Sequence, residues 1–155
     1  LDADKIDGII HPQAVVHSMV EFEDGAIKAQ LGTPDMRMPI SLAMMFPKRA
    51  VRPMEHFSFM DNPTLSFMAV DRQKYPALDI AYDCLRRGGS AAGTMNGSNE
   101  VAVEAFLNHK CRYTDIVGAI EYALNKAQFI HPASADDYAM VDQQARALAR
   151  EYLKL

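Results

Sequence analysis

The sequence predicts an α+β fold: a small antiparallel sheet with a β-hairpin and a helix, joined by a long linker to a C-terminal antiparallel four-helix bundle. Three observations carry this. Two apolar-rich segments flank Asp24-Gly25, a pair suited to the positive φ values of a tight hairpin turn. A proline-punctuated stretch follows with one plausible short strand. From Tyr75 onward four helical stripes succeed one another, each bounded by capping residues, glycines or prolines. Residues 1–46 are therefore read as the α+β part, 47–73 as the linker and 74–155 as the bundle.

Composition sets the class. The chain has 155 residues, 49% of them hydrophobic and 23% charged, without an apolar run long enough to span a bilayer and without a signal peptide. A soluble protein of one or two domains is expected, with no membrane partner. The net charge of -4, with basic residues scattered, argues against a nucleic-acid groove. Cys84 and Cys111 have neither C-x-x-C nor zinc spacing, which points to two ordinary thiols in a reducing compartment.

Residue 1 is Leu rather than Met, and the first seven residues run into an apolar strand, so the chain reads as beginning inside a domain. Asp2, Asp4 and Asp7 bracket a lysine without a nearby histidine or glutamate and read as a solvated acidic entry rather than a metal site. Ile6 to His11 reads as a strand stopped by Pro12. In the hairpin, a two-residue type I′ loop at Asp24-Gly25 sets Phe22 opposite Ile27, Glu21 opposite Lys28, Val20 opposite Ala29, Met19 opposite Gln30 and Ser18 opposite Leu31. Gly32-Thr33-Pro34 then turns the chain into a methionine-rich helix from about Asp35 to Phe46, ended by Pro47. Two readings of Met36, Met38, Met44 and Met45 stand: filler of irregular core gaps, or an adaptable wall beside a flat ligand.

The linker carries Pro47, Pro53 and Pro63, a short strand at Leu65 to Val70, and His56, for which the sequence suggests no partner. The first stripe opens at Pro76, shows Leu78, Ala81, Tyr82 and Leu85 on one face, and closes before Gly88-Gly89. The second, within about Thr94 to His109, has a narrow polar face of Glu100, Glu104 and Asn108 and should be largely buried. The third opens at Thr114-Asp115 and stops by His131-Pro132. The fourth starts at Ser134, whose spacing to Asp137 resembles a capping box, and presents Tyr138, Val141, Ala145, Leu148 and Tyr152.

Spacing alone takes function no further. There is no glycine-rich phosphate loop, H-x-x-x-H, nucleophile elbow or motif-placed carboxylate pair. The polar cluster Asn96, Asn99 and Glu100 in MNGSNE reads as a structural helix entry.

Residues 11 to 49, HPQAVVHSMVEFEDGAIKAQLGTPDMRMPISLAMMFPKR, closely resemble the corresponding stretch of the 1-deoxy-D-xylulose 5-phosphate reductoisomerase family. HPQ, HSM, AQLG and PDMR in that order make a specific signature. The resemblance continues through LSFMAVDRQKYPALDIA, MNGSNEVAVEAFL, CRYTDI and the last helix. Relatives more often carry alanine in place of Gly97 or Ser98.

The resemblance implies the C-terminal portion of a homodimeric, NADPH-dependent enzyme of a bacterial cytoplasm or a plastid. That enzyme uses Mg²⁺ or Mn²⁺ to rearrange and reduce 1-deoxy-D-xylulose 5-phosphate to 2-C-methyl-D-erythritol 4-phosphate in non-mevalonate isoprenoid biosynthesis. Residues 1–46 then correspond to the end of the catalytic domain and 74–155 to the C-terminal bundle. The family's cofactor loop, metal carboxylates and substrate-phosphate ligands are all expected in an upstream part of the same enzyme, so the chain alone is expected to be inactive, without catalytic or metal residues and without bound cofactor. His17, Pro34 and Met36 are the residues the resemblance sets near nicotinamide and substrate; for His17 a structural, hydrogen-bonded role stands beside the functional one. The alternative from another class is a non-catalytic helical module for protein interaction.

Overall fold

The structure, a computed structural model, describes residues 2–49, 51 and 55–155. It is α+β. The chain divides into two compact units, Gly8–Val70 and a second made of Leu1–Asp7 with Asp71–Leu155.

The first unit holds β1 (Ile9–Ile10), β2 (Val16–Glu21), β3 (Ile27–Leu31), α1 (Arg37–Met45) and β4 (Met68–Ala69). Its strands form two separate antiparallel ladders, β1 with β4 and β2 with β3. The hairpin forms where expected, but its register is shifted by one: Glu21 faces Ile27, Val20 faces Lys28, Met19 faces Ala29 and Ser18 faces Gln30. The cause lies in the turn. Phe22 N–H donates to the Ala26 carbonyl, and Gly25 N–H donates back to the Phe22 carbonyl, both at 2.9 Å, so three residues rather than two form the loop. Gly25 takes φ +81°, the left-handed position that closes such a loop. Glu21 and Lys28 are therefore not directly opposed; Lys28 instead holds its ammonium 5.4 Å from the centre of the Phe22 ring.

The register shifts again between Val16 and Ser18, leaving His17 at a bulge and Val16 opposite Leu31. The stretch expected as a linker includes β4, which pairs Ile9 with Ala69 and Ile10 with Met68 and so belongs to the same compact unit as the hairpin. Pro53, expected as linker punctuation, lies outside the described residues.

The second unit contains a 3-10 turn, Ala3–Lys5, and α2 (Pro76–Arg87), α3 (Ala91–Leu107), α4 (Asp115–Lys126) and α5 (Ala135–Leu153). Helix α3 is the hub, packing on α2, α4 and α5, while α4 and α5 also pack on each other. The core is made of small side chains: Ala102, Ala119, Ala123, Ala145 and Ala149 are fully enclosed beside Val101, Ile116 and Ile120. Alanine at the contacts lets helix backbones approach closely, so dense packing is reached without large residues. On α3 the buried stripe runs Ala91, Thr94, Ser98, Val101, Ala102 and Ala105, whereas Leu107 is 68% exposed. On α2 the buried residue is Cys84, and Leu85 stays outside.

Local chemistry fixes the helix ends. Ser134 Oγ accepts from Asp137 N–H at 3.2 Å while the Asp137 carboxylate accepts from Ser134 N–H at 3.0 Å, the reciprocal capping box the spacing predicts. Before α3, Ser90 N–H donates to the Ile130 carbonyl at 2.8 Å and Ile130 N–H donates to Ser90 Oγ at 3.0 Å. This two-way bond fastens the α4–α5 connection to the start of α3. Arg146 bridges α5 to α3, with Nε donating to Asp142 at 2.7 Å and Nη2 to Glu100. These bonds hold the Arg146 guanidinium charged and pull the Glu100 carboxyl below its ordinary range.

The acidic entry is not simply solvated. Asp2 caps the 3-10 turn by accepting from Asp4 N–H at 3.1 Å, Asp4 pairs with Arg86 at 3.1 Å, and Tyr82 Oη donates to the Ile6 carbonyl at 2.7 Å. Burial raises the Cys84 thiol above its ordinary range, and both cysteines are free. Among the described residues no helix is long and apolar enough to cross a membrane.

Candidate functional site

An open concavity of about 780 Å³ lies in the first unit, and His17, Pro34 and Met36 all line it. Three stretches of chain converge there: the turn and strand from His11 to Ser18, the end of the hairpin at Gln30, and the loop that enters α1. Local sequence explains each.

The loop is braced across Met36. Asp35 accepts from Arg37 N–H and Nε at 2.9 Å each and from Nη2 at 2.6 Å, a forked contact between residues two apart. Its hydrogen bonds to Asp35, then the charge of that carboxylate, hold the Arg37 guanidinium charged. With its neighbours tied to each other, Met36 projects outward and is 71% exposed. Pro34 restricts the backbone one residue earlier. An exposed thioether next to a rigid ring is a surface on which a flat ligand can lie.

His17 stands at the bulge in β2 rather than opposite a residue of β3. Its Nε2 lies 3.4 Å from the Thr33 carbonyl, a long contact in which the ring nitrogen donates. The ring is exposed in this chain. The bulge also lets Val16, His17 and Ser18 all reach the concavity, which strict alternation along a strand forbids.

The remaining wall is apolar, with Ile9, Met38, Pro39 and Leu42, and is punctuated by His11, Gln30, Asp35 and Arg49. These polar residues were not singled out by sequence reasoning. His11 and Asp35 sit inside the motifs HPQ and PDMR, so motif membership was the available signal. Gln30 lies in AQLG and shares that signal, whereas Arg49 carries no local pattern that marks it. Among the described residues no three His, Cys, Asp or Glu side chains group closely enough to hold a metal ion.

Comparison with known proteins bears on this geometry. A family model described as the DXP reductoisomerase C-terminal domain matches residues 31–148. The 1-deoxy-D-xylulose 5-phosphate reductoisomerase of Acidithiobacillus ferrooxidans is 42% identical over 153 residues, which are 99% of this chain and 39% of that protein. The corresponding protein of Chlorobium chlorochromatii is 38% identical over 153 residues, 99% of this chain and 40% of that protein. Among solved structures, the reductoisomerase from Zymomonas mobilis in complex with NADPH is similar with a TM-score of 0.87 at 39% identity, over 95% of this chain and 39% of that one. A DOX-P reductoisomerase in complex with NADPH, fosmidomycin and magnesium gives a TM-score of 0.86 at 35% identity, over 95% of this chain and 38% of that one. The chain thus spans about two-fifths of the length of the relatives it matches. With three-quarters of its length under one family model and its fold shared with solved members, this chain belongs to the DXP reductoisomerase family, to which it corresponds as the C-terminal portion.

Proposed function

We propose that the chain is the C-terminal part of an enzyme that rearranges 1-deoxy-D-xylulose 5-phosphate and reduces the product with NADPH to 2-C-methyl-D-erythritol 4-phosphate. The observation that carries this reading is that His17, Pro34 and Met36 line the same concavity in a chain of this family. When bound, NADPH supplies the hydride. Pro34 and Met36 offer its nicotinamide ring an apolar face and shield it from water, and His17 orients polar groups of the substrate from the opposite side of the α1 entry loop. These are walls, not reacting groups. The described residues do not fit a divalent metal, because no suitable donor set converges among them; Mg²⁺ or Mn²⁺ is a matter for the upstream part of the enzyme.

The division of the chain near Asp71 supports reading Gly8–Val70 as the end of the catalytic domain and α2–α5 as the four-helix C-terminal bundle. The hairpin is read as the homodimer contact: β2 and β3 pair with each other in a two-stranded ladder, and Val20, Phe22 and Ile27 are exposed on it. A bacterial cytoplasm or a plastid is the compartment. The test compares the complete enzyme with residues 1–155 alone, measuring NADPH consumption with substrate and Mn²⁺, and sedimentation of each. Turnover by the complete enzyme as a dimer, absent from the 155 residues, is expected; turnover by the 155 residues alone, or a strictly monomeric active enzyme, refutes the corresponding part.

A further inference from the structure

The turn that leads into β2 is fastened more heavily than a surface turn needs to be. Ala14 N–H closes it on the His11 carbonyl at 3.0 Å, with Pro12 at the second position. Ala14 has φ +51°, a left-handed backbone that a residue with a Cβ resists. Such strain persists where surrounding contacts over-determine it.

Those contacts converge on one residue. His11 Nδ1 lies 2.8 Å from the Ser66 carbonyl, Gln13 Nε2 donates to Ser66 Oγ at 3.1 Å, and Ser66 N–H donates to Gln13 Oε1 at 3.2 Å. The His11 ring also stacks on Phe67, with centroids 4.8 Å apart. A carbonyl only accepts, so Nδ1 carries the proton. Nε2 is then a lone pair, and it is buried without a hydrogen-bond partner among the described residues. The imidazole is thus used through one nitrogen while the other is shut away from water, an arrangement with a cost that core packing alone does not call for.

Downstream, Val15 is buried and its carbonyl accepts from Gly32 N–H at 3.0 Å, and His17 follows at the bulge. We propose that the HPQ turn is a positioning clamp. His11 and Gln13 lock it to Ser66 and hold Ala14 left-handed, so that β2 starts with the offset that sets His17 on the wall of the concavity. They are positioning residues for the reductoisomerase reaction, and this rests on the function proposed above.

Two variants separate the clamp from general stability, because an asparagine amide overlays Nδ1 of histidine and a glutamine amide overlays Nε2. In the complete enzyme, His11→Asn keeps the donor to Ser66 and removes the buried lone pair, so its kcat is expected to exceed that of His11→Gln by at least about fivefold. His11→Gln moves the donor away and is expected to lower kcat by at least about tenfold with KM little changed, as misplacement of a supporting group does. Equal loss in both variants, or loss in neither, overturns the proposal. ¹⁵N spectra of the histidine rings in the complete enzyme give a readout independent of turnover: the Nδ1–H tautomer at His11 supports the clamp, and the Nε2–H tautomer overturns it. An inactive parent enzyme with the Nδ1–H tautomer refutes the proposed function and its positioning role while leaving the lock on Ser66 intact.

Discussion

Replacing Gly89 by alanine should unlock the helical unit at one joint. Gly89 has φ +54°, and a Cβ built there would lie 2.6 Å from Phe129 Cζ and 2.7 Å from the Ile130 carbonyl oxygen. The left-handed backbone alone costs an alanine about 1–2 kcal/mol. The Ile130 oxygen cannot yield freely, since it accepts from Ser90 N–H at 2.8 Å while Ile130 N–H is held by Ser90 Oγ at 3.0 Å. Moving it weakens a hydrogen bond worth about 1 kcal/mol, and overpacking against Phe129 adds about 1–3 kcal/mol. The expected loss is therefore about 3–6 kcal/mol, or a fall in Tm of about 12 °C or more for a unit of this size. Urea unfolding followed by circular dichroism measures the loss, and exchange of the Ser90 and Ile130 amides locates it. A loss of no more than about 1–2 kcal/mol, the backbone cost alone, would show that the α4–α5 connection relaxes freely and would refute the claim that it is locked.

In the complete enzyme, His17→Gln is expected to lower kcat while Tm changes by no more than a few degrees, because the ring is exposed and its one contact is long; a large fall in Tm with normal turnover would make it structural. Met36→Ala is expected to raise the KM for NADPH or substrate by up to about tenfold, the equivalent of about 1 kcal/mol of thioether contact, and steady-state kinetics with each ligand varied would check it. Asp137 is held below the ordinary carboxylate range by the backbone bond from Ala133, then by the bonds from Ser134. Its folded pKa being depressed, its contribution to stability is full above the unfolded value of about 3.9 and is lost as pH falls through the folded one. Asp137→Asn should flatten the fall of the urea midpoint below about pH 4, and an unchanged acid profile would show that the cap does not couple to folding.

Where a single local rule determined the outcome, the sequence was readable. Pro76 and Gly88 delimit α2, and the Ser134–Asp137 spacing produces the capping box it suggests. Helix α3 begins at Ala91, before the predicted start near Thr94, where the buried Ser90 is bonded to Ile130, 40 residues away. The hairpin shows the opposite limit. Asp24-Gly25 suits a two-residue loop and also a three-residue loop with glycine in the left-handed position, and both leave apolar residues on each strand, so local pattern could not choose between them. β4 was legible as a short strand but not as the partner of β1, since nothing local to Met68 and Ala69 specifies pairings with Ile10 and Ile9 at the other end of the unit. The site follows the same logic. Pro34 and Met36 lie within one short loop whose Asp35–Arg37 fork is local, but His17 reaches their concavity through a bulge that breaks the period of two on which face assignment rests. Had the strand kept its alternation, Val16 and Ser18 would share one face and His17 would occupy the other. The departure from regularity is what brings all three to the same wall, and that dependence makes the turn at His11, which sets how the strand begins, part of the site's construction.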